Sequence, residues 1–91
     1  MENEDDIISE DKVSRAVLLF SRRKAASAAQ LGVELGLDPS GSVFLTQYLV
    51  DEGLVSRHQG SNSAVRLDEF YSLTTHGVRT ARSMKKKEER G

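Results

Sequence analysis

Cysteine and tryptophan are absent from this 91-residue chain, proline occurs once and histidine twice. Without thiols there are no disulfides and no thiolate metal sites, a composition compatible with a reducing compartment. His58 and His76 lack an H-x-x-x-H spacing, so no zinc motif is present and neither metal nor cofactor is expected. Aromatic residues are only 5% of the chain, so the core must be aliphatic. No run of about 18 apolar residues exists to span a bilayer. The acidic start lacks the basic-then-apolar pattern of a secretory signal, and a cytoplasmic protein is expected. Catalysis finds no support: no glycine-rich loop joins a strand to a helix, and no serine sits in a nucleophile elbow. His76, near a helix start, reads as a solvent-facing residue rather than a base. The length implies one domain, with roughly 40% of the unfolded surface still exposed and no large buried pocket.

Positive charge is also missing from one long stretch. Between Lys24 and Arg57 there is no Lys or Arg, while Glu34, Asp38, Asp51 and Glu52 fall there. Residues 1–11 hold Glu2, Glu4, Asp5, Asp6, Glu10 and Asp11 with no cation, and the other 80 residues hold 13 Lys and Arg against 8 acids, a net +5. The chain's net charge of −1 therefore hides an acidic start and two basic flanks around an acidic middle.

What is present is helical periodicity. Residues 1–8 lack it, and their composition predicts a disordered acidic tail, either a solubilising segment or a mimic of nucleic-acid charge that folds back on the basic flanks. A helix is predicted over 10–22, with Ser9 as cap and Val13, Val17 and Phe20 along one face. Arg22, Arg23 and Lys24 end it. Cations are favourable there in themselves, and they equally suit a phosphate clamp. Residues 27–55 then read as helix, tight turn, helix and exit. Ser27 caps the first helix, and Ala28, Leu31 and Leu35 form its inner face. Gly36 stops it, Asp38 or Ser40 caps the second, Pro39 suits the first turn, and Gly53 ends the pair.

A hairpin should follow. One strand runs from Leu54 to about Gln59, a turn lies at residues 60–63, and a returning strand spans 65–73 with Val65, Leu67, Tyr71 and Leu73 on one face. A bulge is expected near Glu69. Arg57, His58 and Arg66 gather near the tip, as phosphate or minor-groove contacts or as a solvated hairpin end. Thr74 or Thr75 caps a last helix from about His76 to Lys87, with Val78, Ala81 and Met84 as a thin apolar line.

Leu31, Leu35, Gly36, Leu37, Ser40, Leu45, Leu49, Gly53, Leu54 and Val55 together resemble the helix-turn-helix of winged-helix regulators such as the MarR-like and PadR-like families. Tyr71, Leu73, Thr74 and Gly77 are similar to the Y-x-L-T-x-x-G with which such families close the wing. The resemblance implies an α+β winged helix over residues 9–84: three helices, a β-hairpin wing and a C-terminal helix, followed by a charged tail at 85–91. It further implies a sequence-specific regulator of transcription that binds double-stranded DNA, with the helix of residues 39–52 in the major groove. Ser40, Gly41, Val43, Phe44, Gln47 and Tyr48 would face outward on that helix, with Ser42, Leu45 and Leu49 inward. Ser40, Gly41, Val43, Phe44 and Gln47 then become the groove contacts, and Arg22, Arg23, Lys24, Arg57, His58 and Arg66 the backbone contacts. A homodimer is expected through Leu18 and Leu19 of the first helix and Val78, Ala81 and Met84 of the last. The absence of Arg or Lys from the reading helix departs from the usual pattern, because arginine on guanine is the commonest base contact. Phe44 and Tyr48, at i and i+4, equally read as residues that simply pack under the wing. A module whose helix-turn-helix meets another protein, through Phe44 and Tyr48, is the alternative.

Overall fold

A computed structural model describes residues 8–57 and 65–90 of the chain, with side chains as far as residue 84. Helix α1 spans Glu10–Arg22. Ser9 caps it by accepting the Lys12 amide, and Glu10 and Asp11 sit at its positive end. Strand β1, Ala26–Ser27, leads directly into α2, Ala28–Leu35. Ser27 and Gln30 form a reciprocal capping box: the Gln30 amide donates to Ser27 Oγ at 3.2 Å, and the Ser27 amide to Gln30 Oε1 at 2.9 Å. Gly36 ends α2 with φ 70°, a left-handed conformation that costs a residue with Cβ roughly 1–2 kcal/mol. Asp38, not Ser40, caps α3, Pro39–Asp51, accepting the Gly41 amide at 2.7 Å.

Strands β2, Val55–Arg57, and β3, Phe70–Leu73, complete an antiparallel sheet of order β1-β3-β2. Ala26 pairs with Tyr71 on one side of β3, and Arg57 pairs with Tyr71 on the other. Helix α4, Thr75–Arg90, returns against α1. Thr74 caps it, accepting the Gly77 amide at 3.0 Å. Val17 and Phe20 of α1, Leu31 of α2, Leu45 and Leu49 of α3 and Tyr71 of β3 meet in one core, which is not the purely aliphatic one expected, because buried Phe20 and Tyr71 are part of it. Among the described residues, no helix is long and apolar enough to cross a membrane.

The α+β winged helix expected from the sequence is the observed architecture, with three local differences. β1 is an additional strand. The returning strand is four residues rather than nine, because the chain turns at Leu67 and Asp68, where the Glu69 amide reaches the Arg66 carbonyl at 3.3 Å. Helix α4 runs to Arg90, past the expected Lys87 and through most of the segment assigned to a tail. The expected acidic tail, save Ile8, and the expected wing-tip turn at residues 60–63 lie outside the described residues.

Tyr71 is fully buried, and burial is the first cause holding its phenol above the usual value near 10, against hydrogen bonds from the Arg66 amide and Arg57 that pull it down. A folded-state pKa raised above the unfolded one gives stability that is complete below pH 10 and is lost as pH rises through the folded value. The ionisation of Tyr71 is therefore expected to be coupled to a loss of stability as pH rises above 10. Tyr48 is raised mainly by its hydrogen bond to Glu52. Absorbance at tyrosinate wavelengths, followed beside circular dichroism, checks this: Tyr71→Phe should remove the coupled step, and a step that persists in that variant contradicts it.

Candidate nucleic-acid interface

α2 and α3 pack as a helix-turn-helix, and Gly32 makes the closeness attainable. A Cβ on Gly32 would fall on Ser42 Oγ and lie 2.9 Å from Ser42 Cβ. Ser42 is buried and donates its hydroxyl to the Asp38 carbonyl at 2.9 Å, and Thr46 does the same toward Ser42 at 2.8 Å. The inner face of α3 is therefore Gly41, Ser42, Leu45, Thr46 and Leu49. Gly41 was expected outward and is buried. Its amide is spent on the Asp38 carboxylate, and it stands one turn before Leu45 on the packed side.

The outward stripe of α3 is exposed at Ser40 and Phe44, the latter 39% exposed, and half-buried at Val43 and Gln47. Gln47 is occupied at both ends of its amide. Its nitrogen donates to Asp51 Oδ1 at 2.9 Å, and its oxygen accepts the Val65 amide at 3.4 Å. Gln47, expected as a base-reading side chain, ties α3 to the chain returning from the wing. Tyr48 is half-buried, with its hydroxyl on Glu52.

The wing cations divide. Arg66 is exposed, its side chain 69% accessible beside Asp68 at 3.6 Å. Arg57 is turned inward, its side chain 14% accessible and its Nε 3.6 Å from Glu69 Oε1, itself 16% accessible. The Tyr71 hydroxyl donates to Glu69 Oε2 at 3.3 Å and accepts the Arg66 amide at 3.4 Å. Arg57, Glu69 and Tyr71 thus form one polar cluster between β2, β3 and the turn before β3. Sequence reasoning missed this cluster, and Arg57, expected to be a phosphate contact, belongs to it. His58 lies outside the described residues.

Arg22, Arg23 and Lys24 are all exposed at the end of α1. Arg23 pairs with Glu34 of α2 at 3.5 Å, both side chains about half accessible. The three line a groove of about 390 Å³ with Phe20, Leu73, Val78 and Arg82. That groove is lined by Ser72 and Leu73 of β3 and does not include Arg66, so the basic loop and the wing arginine are separate cationic features. Among the described residues no group of three or more His, Asp or Glu stands close enough to hold a metal.

No family model matches the chain, and no curated protein does. Solved structures do match. Lactococcus lactis ZitR bound to DNA aligns with a TM-score of 0.71 at 18% identity, over 99% of this chain and 60% of that one. An apo form of a ZitR double mutant gives 0.72 at 17% identity, over 89% of this chain and 59% of that one. The adhesin competence repressor AdcR from Streptococcus pyogenes gives 0.70 at 13% identity, over 94% and 62%. The chain spans about three-fifths of the length of the structures it matches. Helix order, the sheet and these likenesses agree: the chain is a winged helix-turn-helix domain, the fold found in ZitR and AdcR.

Proposed function

We propose that the chain is a sequence-specific double-stranded DNA-binding protein that regulates transcription. The observation that carries this reading is the exposed stripe of α3, held in fixed relation to the wing by the Gln47–Val65 hydrogen bond, with exposed Arg66 beside it. Such a helix fits the major groove, and a basic wing meets backbone or minor groove. The likeness to ZitR in complex with DNA supports it. Ser40, Val43 and Phe44 are the groove contacts in this reading, and Arg22, Arg23, Lys24 and Arg66 the phosphate contacts. His58 is retained as a wing contact on sequence grounds alone. No catalysis, cofactor or small-molecule substrate enters, and the protein works beside its DNA in the cytoplasm.

A homodimer is the assembly proposed. Leu19 and Ala81 are buried in the chain's own core, so they no longer serve as contact residues. Half-buried Leu18 and Met84 and exposed Val78 remain. Sedimentation that shows only monomer at high micromolar concentration, with and without DNA, would refute this.

The module that meets protein instead of DNA is favoured by one observation: exposed Phe44 on a segment without a cation between Lys24 and Arg57. A fluorescence titration against mixed-sequence duplex at two salt concentrations separates the readings. Binding should be tight at low salt and weaken steeply as salt rises, each phosphate contact contributing about 0.9 to the slope. Absence of binding at low salt, where attraction to phosphate is strongest, removes the regulator reading.

A further inference from the structure

We infer that α3 reads thymine methyl groups, so that preferred duplexes are defined by T·A pairs rather than by guanine contacts. This rests on the DNA-binding reading above and deepens it. In the major groove each base pair offers a distinct pattern, and the strongest discriminators are bidentate: Arg or Lys on guanine, Asn or Gln on adenine. The helix-turn-helix has no Arg or Lys from residue 25 to 56, which removes the first kind. Its one residue of the second kind on the outward stripe, Gln47, is half-buried and pinned by one bond at each end of its amide, to Asp51 and to Val65, so turning it to face an adenine squarely would break both. The other glutamine, Gln30, uses its side-chain oxygen to cap α2.

The remaining polar side chains of α3 serve the fold. Ser42 and Thr46 are buried with their hydroxyls on backbone carbonyls, and Tyr48 is half-buried. The outward stripe therefore offers a serine hydroxyl at Ser40 and two apolar surfaces, Val43 and Phe44. A hydroxyl bonds to any base edge. An apolar surface has one complementary partner in the major groove, the 5-methyl of thymine. Phe44 is 39% exposed although it stands among residues that pack, which leaves apolar area to be covered. Burying one methyl is worth about a four-fold change in affinity at ordinary transfer energies.

Selection from a random-core duplex pool, followed by replacement of thymine with deoxyuridine in the recovered sites, tests the inference. Deoxyuridine keeps the base pair and removes only the methyl. Recovered sites should share thymines, and each contacted thymine changed to deoxyuridine should weaken binding about four-fold. The same change outside the contacted positions should do nothing. Phe44→Ala should narrow the difference between thymine and deoxyuridine sites, whereas Val33→Ala, at an exposed apolar residue of α2 away from that stripe, should keep the parent's preference. If Phe44→Ala does not fold, the comparison on the parent protein still decides. Equal binding of thymine and deoxyuridine sites overturns the inference and leaves DNA binding standing. A recovered consensus anchored on guanine, weakened when that base is replaced by 7-deazaguanine, does the same. Recovery of no sequence at low salt overturns the DNA-binding reading itself.

Discussion

Replacing Gly77 with alanine is expected to cost about 3 kcal/mol or more, the upper end of what overpacking does. A Cβ at Gly77 would fall on the Leu54 carbonyl oxygen and lie 2.9 Å from Leu73 Cδ2. The oxygen cannot yield. It accepts the Thr74 amide at 3.0 Å, while the Thr74 hydroxyl donates to the adjacent Gly53 carbonyl at 2.5 Å and accepts the Gly77 amide at 3.0 Å. The clash therefore lands on backbone that joins the end of the helix-turn-helix to the start of α4. A domain of this size has roughly 5–15 kcal/mol in all, so the variant should be largely unfolded on mild heating. Gly36→Ala is the comparison. There a Cβ meets nothing within 4 Å, and only the left-handed backbone is penalised, by roughly 1–2 kcal/mol. Gly32→Ala should behave like Gly77→Ala, because its Cβ would fall on Ser42 Oγ. Unlike Gly77→Ala, it should be partly rescued by Ser42→Gly, since the obstacle is a side chain. Urea denaturation of the four proteins decides. Equal midpoints for Gly77→Ala and Gly36→Ala would show that the close approach at Leu54 is not what fixes the α4 junction.

The parts of this fold that depend on neighbouring residues were legible in the sequence. Ser9, Ser27, Asp38, Thr74 and Gly36 act within three or four residues of themselves, and the helix ends they predict are observed within a residue or two. Gly41 was misassigned although the signal was there: it precedes Leu45 by four residues and Leu49 by eight, which is the period of the inner face. β1 was not legible, because two residues become a strand only by pairing with Phe70 and Tyr71, more than forty positions later. The same distance problem governs the site. Gln47 looks like a base reader until Val65, eighteen residues on, is brought to its carbonyl oxygen. Arg57 looks like a phosphate anchor until the turn at Leu67 and Asp68 shortens the returning strand and swings Glu69 beneath it. Charge composition told where cations were scarce. It could not tell which of the remaining cations the fold would consume.

Arg57 and Arg66, alike in sequence as basic wing residues, are therefore expected to respond in opposite ways to alanine substitution. Arg57→Ala should lower stability by about 3 kcal/mol, because it strips Glu69 of its cation in a cluster where both side chains are mostly buried. The loss should be smaller if Glu69 is replaced by glutamine in the same chain, since the uncompensated charge then disappears as well. While the variant is folded, its DNA affinity should keep the parent's salt dependence, as no phosphate contact has been removed. Arg66→Ala should leave the urea midpoint within about 0.5 kcal/mol of the parent, as exposed substitutions do. Its binding should weaken on every sequence, and the salt slope should flatten by about 0.9, the signature of one lost phosphate contact. Denaturation and salt-dependent titration of the two variants, read together, distinguish a structural arginine from a binding one. A flattened slope with unchanged stability for Arg57→Ala would return that residue to the DNA surface and leave Glu69 without a role in holding the wing.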